Sequence, residues 1–244
     1  YGDFSGLDDL LTEHPRVVEG FIDIYKQWIT DYRIDGFRID TARHVNSAFW
    51  QAFAPAMIAH AESLGVPNFY IFGEVFDPNP AALARFTHTD KLPYVLDFGF
   101  QSVVTDVVAN GAPTMRLAAL FDADALYEGG ADRALGLPTF LGNHDMGRFA
   151  HFVRKAAPDA PDATILKRVE LGHAMMFLLR GAPVIYYGDE QGFVGDGGDQ
   201  DARENMFASK VAIYNDNDLV GTDATTADVN FDKKHPLYRS ISRL

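Results

Sequence analysis

Acidic side chains stand at the ends of short apolar segments in this 244-residue chain. Three such segments, each rich in β-branched or aromatic residues, end in Asp40, Glu74 and Asp145. Carboxyl groups serve enzymes as proton donors, proton acceptors and oxygen nucleophiles. If the ends of these segments meet in space, the chain therefore carries a candidate acid–base site.

The surroundings of Asp40 and Glu74 suit two complementary roles. Arg38 lies two residues before Asp40, so both side chains leave an extended strand on the same face, and the guanidinium favours an ionised carboxylate. Glu74 follows the apolar residues 70–73, which favour the protonated carboxyl. An ionised and a protonated carboxyl about 5–5.5 Å apart would suit retaining cleavage of a glycosidic bond. An isolated aspartate at a strand end could instead cap the following helix.

A histidine and an aspartate are adjacent at the end of the third segment. His144 and Asp145 follow Gly142 and Asn143 there. Neighbouring residues can both reach one ligand only where a strand gives way to a loop. We therefore expect this pair at the rim of a site.

The elements that must position these residues are predicted from hydrophobic pattern. Near-continuous apolar runs predict strands covered on both faces, at residues 34–40, 69–74, 94–98, 138–145 and 183–189. Helical periodicity predicts helices at residues 16–32, 47–64 and 166–179.

This alternation of helices and strands is typical of two α/β folds. Right-handed crossovers would give a doubly wound sheet or a (β/α)8 barrel. Carboxylates at the carboxyl ends of several strands favour the barrel. No G-x-G-x-x-G or P-loop motif follows any predicted strand, which removes the main signature of a nucleotide-binding sheet. Residues 192–232 are loop-like, and HPLYRSISRL predicts the start of one more helix.

Composition excludes several classes of partner. A formal net charge of -13 argues against nucleic acid and anionic membrane surfaces. The chain has no cysteine, so thiolate chemistry and disulfides are excluded and the compartment stays open. Apolar runs are far shorter than the roughly 20 residues of a membrane-spanning helix. We expect a soluble protein, secreted or cytoplasmic, whose oligomeric state the sequence does not indicate.

The motifs GFRIDTARH, FGEVF and FLGNHD, in this order, resemble the second, third and fourth sequence regions of glycoside hydrolase family 13, the α-amylase family. APVIYYGDE resembles its eighth-strand segment. The resemblance implies a barrel in which Asp40 is the nucleophile, Glu74 the general acid/base and Asp145 the stabiliser of an oxocarbenium-like sugar.

The same resemblance assigns further residues. Arg38 would orient Asp40, and the substrate-binding residues would be Arg38, Arg43, His44, Asn143 and His144. The chemistry would need no cofactor, although the backbone carbonyl of His44 could ligate a structural calcium ion. The Asp189–Glu190 pair would make mainly structural hydrogen bonds.

The resemblance also implies what this chain contains. The family's first region would stand upstream of GFRID, so we expect residues 1–244 to form one partial barrel with strands four to eight, without strands one to three or a C-terminal β-sandwich. The implied function is retaining hydrolysis of α-linked glucans or oligosaccharides. A glucan transglycosylase, a disaccharide isomerase and an inactive barrel fragment that only binds carbohydrate are the alternatives.

Overall fold

The structure is a computed structural model and describes residues 6–244. The chain divides into two compact units, one of residues 6–98 and 123–138 and the other of residues 99–122 and 139–244. Each unit has its own hydrophobic core.

Helices and strands alternate along most of the chain. The strands are β1 (Gly36–Ile39), β2 (Tyr70–Gly73), β3 (Tyr94–Val95), β4 (Pro138–Thr139) and β5 (Ala182–Pro183). The α-helices are α1 (Pro15–Tyr32), α2 (Ser47–Ser63), α3 (Pro80–His88), α4 (Phe98–Val104), α5 (Met115–Asp122), α6 (Gly130–Ala134), α7 (Phe149–Ala156), α8 (Asp162–Leu178) and α9 (Pro236–Ile241). A π-helical turn, Thr105–Ala109, continues α4.

The first unit is built on a parallel sheet in the order β1-β2-β3. An aromatic cluster packs α1 and α2 against it through Tyr25, Phe37 and Phe53. The Tyr25 ring centroid lies 5.2 Å from that of Phe37 and 5.5 Å from that of Phe53, both edge-to-face. Such pairs contribute about 0.5–1.5 kcal/mol each beyond their buried area. Because Phe37 is held on the helix side, Arg38 must leave β1 on the other face.

The second unit gathers its core around α7 and α8. Phe149 and Val153 of α7 are fully buried, and Val169 and Met176 of α8 are almost fully buried. The two residues of α7 are four positions apart and the two of α8 are seven apart, which places each pair on one face of its helix. Thr139 of β4 accepts a hydrogen bond of 2.8 Å from the Val184 amide beside β5.

The five predicted strands and the three predicted helices are all present, and the helix expected near the C-terminus begins at Pro236. Three predicted strands are too long. β3 ends at Val95, and Phe98, its predicted last residue, begins α4. Residues 140–145 are not strand, because Asn143 and Gly147 exchange backbone hydrogen bonds and close a local turn. Residues 184–189 are not strand either, because Gly188 has φ of 88° and begins the 3-10 turn Asp189–Gln191.

The expected burial of both strand faces is also wrong in part. Val184 is 42% exposed and Ile185 is 38% exposed, and no residue of β1 is fully buried. Within residues 6–244, only β2 pairs with a strand on both edges; β1, β3, β4 and β5 each pair with one strand. The helices α3, α4, α5, α6 and α7 had no prediction, since each has at most nine residues and gives little periodic signal.

The long segment 192–232 is irregular, as predicted. It contains the 3-10 turns Asp199–Ala202 and Ala212–Tyr214 and a single bridge between Asp218 and Thr225. A search of the described residues for a helix of sufficient length and apolarity to cross a bilayer finds none.

Gly36 provides a test of the β1-β2 pairing. A Cβ at this position would lie 2.0 Å from the Tyr70 carbonyl oxygen. Because that obstacle is backbone, Gly36→Ala should push the strands apart and lower the free energy of unfolding by about 1–3 kcal/mol. The control is Gly20→Ala within α1, where an added Cβ has no neighbour within 4 Å. It should stabilise by about 0.5–1 kcal/mol. Urea denaturation of both variants checks this, and equal unfolding midpoints would contradict it.

Candidate active site

The ends of β1 and β2 bring two carboxyl groups together. Ile39 and Gly73 are partners in the parallel register, and the Glu74 amide donates a 2.7 Å hydrogen bond to the Ile39 carbonyl. Asp40 and Glu74 therefore follow paired strand ends, and their side chains share a hydrogen bond.

Arg38 lies between these two carboxyl groups. Its Nη1 is 3.8 Å from Oδ2 of Asp40, and its Nη2 is 3.5 Å from Oε2 of Glu74. The expected contact of Arg38 with Asp40 is present. The contact with Glu74 had no prediction, because these residues lie far apart in sequence and meet only through the strand pairing.

Burial distinguishes the two carboxyl groups. The Asp40 side chain is 69% exposed, whereas the Glu74 side chain is only 9% exposed. Burial is the main cause that raises the pKa of Glu74 to about 7, and the hydrogen bond with Asp40 raises it further. The Thr41 amide and Arg38 act in the opposite direction but do not cancel the effect of burial on that pKa. Near neutral pH, Glu74 can therefore hold a proton.

Thr41 contributes to the site through its backbone. Its φ of 49° and ψ of 32° lie in the left-handed region, which is unusual for a β-branched residue. This conformation directs the Thr41 amide to Oε2 of Glu74 at 3.2 Å. Sequence reasoning missed this residue, since side-chain type does not reveal a backbone donor.

Arg43 and His44 are the exposed residues of the 3-10 turn Ala42–His44, whose first residue is buried. Nη1 of Arg43 donates to the Phe76 carbonyl at 3.0 Å and lies 3.8 Å from Asp77. Arg43 is therefore held beside the chain that follows Glu74. Among residues 6–244 no group of three or more His, Asp or Glu side chains could hold a metal ion. Calcium at the His44 carbonyl stays a prediction.

The second unit contains the other site residues in one turn, residues 143–147. The Asn143 Oδ1 accepts hydrogen bonds from the amides of Asp145 at 3.0 Å and Met146 at 2.8 Å. This Asx-type bonding shapes the turn. His144 Nε2 is 3.4 Å from Oδ2 of Asp145, and both side chains are more than one-third exposed. The expected pair is therefore accessible.

Two arginines in this unit were missed as site residues. Arg203 approaches Asp145, and Arg148 is buried in contact with Asp189. The first could have been noticed as a lone basic residue in the acidic stretch GDGGDQDARE. Asp189 makes the structural contact expected of it, and its pKa is raised to about 7 by burial.

Comparison with known proteins decides the family. The catalytic domain of α-amylases, as a family model, matches residues 1–233. The chain belongs to the α-amylase family.

Curated relatives of the family extend beyond this chain. An α-amylase of Streptomyces lividans is 49% identical over 244 residues, which are all of this chain and 27% of that protein. A cyclomaltodextrin glucanotransferase of Klebsiella oxytoca is 27% identical over 75% of this chain and 30% of its own length. The chain thus spans about a quarter to a third of these two relatives.

Solved structures show the same fold. The crystal structure of an Anoxybacillus α-amylase matches with a TM-score of 0.72 and 30% identity, over 83% of this chain and 42% of the other. The chain therefore has the fold of the α-amylase catalytic domain, a family of (β/α)8 barrels.

Asp40 and Arg38 shift the pKa of Glu74 in opposite directions, so removing them should change that pKa in opposite directions. Asp40→Asn should lower the pKa of Glu74, because the charge and the hydrogen bond of Asp40 both raise it. Arg38→Met should raise the pKa of Glu74, because the guanidinium lowers it. Carboxyl carbon chemical shifts, followed by NMR from pH 4 to 9, would report both changes. Shifts of the same sign in the two variants would show that the three groups are not coupled in this way.

Proposed function

We propose that this chain carries the catalytic residues of a retaining glycosidase that acts on α-linked glucans or oligosaccharides. The observation that supports this most directly is the hydrogen-bonded pair of Asp40 and Glu74, with Arg38 beside both carboxyl groups. The two carboxyl groups differ in solvation, as a nucleophile and a general acid must.

The reaction would proceed by double displacement. The Asp40 carboxylate attacks the anomeric carbon while Glu74 gives its proton to the leaving oxygen, so the glycosidic bond breaks and a glycosyl ester forms. Glu74, now ionised, then takes a proton from water. The water oxygen bonds to the anomeric carbon and Asp40 leaves as a carboxylate. Glu74 returns to its protonated state, and the anomeric configuration is retained.

The remaining site residues have supporting roles in this proposal. Asp145 would stabilise the positive charge of the oxocarbenium-like transition state, and His144 would donate to sugar hydroxyls. Arg43 and His44 would contact the leaving-group sugar from the turn after Asp40. Asn143 would act mainly by shaping the turn that carries Asp145, consistent with the hydrogen bonds of its side chain.

We further propose that β1 to β5 correspond to strands four to eight of the family barrel. The motif order supports this, because GFRID closes β1, FGE closes β2 and the IYYGD segment follows β5. The open edges of β1 and β5 would then be the places where strands three and one pair. An α-glucan is the proposed partner, consistent with the α-amylase name of the Streptomyces lividans relative.

The roles of the two carboxyl groups can be separated in the natural full-length protein. Asp40→Asn should reduce turnover by about 10⁴-fold or more on every substrate, because an amide cannot form the ester. Glu74→Gln should lower kcat/KM, which reports glycosylation, by about 10²–10⁴-fold on a maltooligosaccharide but much less on a glucosyl fluoride, whose leaving group needs little protonation.

The pH profile of glycosylation provides an internal control for this pair. On the maltooligosaccharide, kcat/KM of the unchanged enzyme should fall as pH rises through about 7, since Glu74 then loses its proton. On the fluoride this alkaline fall should be absent. Equal losses of kcat/KM on both substrates in Glu74→Gln would refute the acid assignment.

Transglycosylation is the second candidate, and the glucanotransferase relative from Klebsiella oxytoca favours including it. Hydrolysis and transfer share the glycosyl ester and differ only in the acceptor that resolves it. We expect maltoheptaose to give mainly shorter linear products with one reducing end per cleaved bond. Chromatography of the products with a reducing-sugar assay would check this. Cyclic products, isomerised disaccharides or longer chains would assign a transferase or isomerase, and binding without products would indicate an inactive fragment.

A further inference from the structure

Residues 196–204, which we call the strap, lie directly on the turn of residues 143–147. The Asp199 amide donates a 2.9 Å hydrogen bond to the Asp145 carbonyl. There is no room for side chains between the two segments. A Cβ on Gly198 would lie 2.6 Å from the Asp145 carbonyl oxygen, and a Cβ on Gly147 would lie 2.5 Å from the Gly197 carbonyl oxygen. The strap and the turn therefore meet backbone to backbone.

Arg203 extends this contact to the carboxylate of Asp145. Its Nη2 lies 3.4 Å from Oδ1 of Asp145 and 2.6 Å from Oδ1 of Asp199, and its Nε donates to the His144 carbonyl at 3.3 Å. The second oxygen, Oδ2 of Asp145, is 3.4 Å from His144 Nε2. Both carboxylate oxygens thus have a basic neighbour, and Arg203 also contacts the backbone of the turn.

The residue after Arg203 anchors the strap. Glu204 is fully buried, and its Oε2 accepts a 2.8 Å hydrogen bond from Nε of Arg148, which is fully buried too. The Arg148 guanidinium also donates to the Tyr187 carbonyl at 2.8 Å and lies 3.3 Å from Oδ1 of Asp189. A buried charge that loses its partner is strongly destabilising, so this pair resists separation.

Aromatic rings surround the same guanidinium. Its carbon atom lies 4.5 Å from the Tyr186 ring centroid, 5.3 Å from that of Tyr187 and 4.9 Å from that of Phe193. Cation–π contact of this kind strengthens when water is excluded. Arg148 is only three residues after Asp145, so the turn and the strap are tied together at a point next to the carboxylate.

We propose that Arg203 is a positioning residue for Asp145, held in place by the buried Arg148–Glu204 pair. The inference rests on the proposed function, in which Asp145 stabilises the transition state. Such a group must keep its position while charge develops on the sugar, because a preorganised carboxylate needs no reorganisation at that moment. Nη2 of Arg203, which contacts both Asp145 and Asp199, supplies that constraint from a side chain that need not touch the sugar.

The test uses the natural full-length protein and a double-mutant cycle with maltoheptaose. Arg203→Met should lower kcat by about 10–100-fold while KM changes less than about threefold, and Arg203→Lys should recover part of kcat. Asp145→Asn should lower kcat by about 10³-fold or more. In the double variant Arg203→Met with Asp145→Asn, we expect little further loss, since Arg203 acts through the carboxylate that is already gone.

The anchor and the controls are measured beside this cycle. Glu204→Gln should lower the thermal midpoint and also lower kcat per folded molecule, with folding checked by circular dichroism. The matched control is Arg154→Met, because Arg154 donates to the Asp218 carbonyl and pairs with Asp162 instead. Its kcat should stay within about twofold of the unchanged enzyme.

Other outcomes would overturn the inference in distinguishable ways. Losses that multiply in the double variant, or a raised KM with unchanged kcat, would make Arg203 an independent substrate contact. A full kcat in Arg203→Met beside an inactive Asp145→Asn would refute positioning alone. A full kcat in Asp145→Asn would refute the role of Asp145 in the proposed function, and the inference with it.

Discussion

The hydrogen bond from the Glu74 amide to the Ile39 carbonyl is the contact on which the candidate site depends. It extends the parallel pairing of β1 and β2 by one step, so Asp40 and Glu74 leave the sheet side by side. Glycines permit this close approach: a side chain at Gly36 would strike the Tyr70 backbone, and one at Gly73 would strike Leu92 and Ala42. Strand geometry therefore places the two carboxyl groups before any interaction between their side chains operates.

Once the carboxyl groups are adjacent, their surroundings must give them different charges. One guanidinium, Arg38, faces both, so it cannot by itself distinguish Asp40 from Glu74. Burial makes the distinction, because Glu74 is almost enclosed while Asp40 faces solvent. The Thr41 amide favours the ionised form of Glu74 and so limits the rise of its pKa. A group that alternates between acid and base must be stable in both charge states. A left-handed threonine costs of order 1 kcal/mol or more, so part of the stability of the fold is given up here.

How much of this could be read from the sequence depends on the range of each interaction. Helical periodicity indicated α1, α2 and α8 because each buries a continuous apolar stripe, and apolar runs indicated all five strands. The ends of β4 and β5 were misjudged, since Asn143–Gly147 bonding and the positive φ of Gly188 act locally against an apolar sequence. Arg38 beside Asp40 was visible from a two-residue spacing. Its contact with Glu74 and the approach of Arg203 to Asp145 were not, because pairing across 36 and 58 positions depends on tertiary structure.

The burial of Arg148 limits the substitutions that this part of the molecule can accept. Arg148 and Glu204 are each fully enclosed, and three aromatic rings face the guanidinium. Loss of either charge alone leaves the other buried without a partner or water and destabilises the fold. Replacing both by apolar residues of similar volume can leave the stability unchanged. A substitution at either position therefore requires a compensating substitution at the other, although 55 residues separate them. The segment between them contains α7, α8 and β5, so one buried pair makes substitutions on either side of two helices depend on each other.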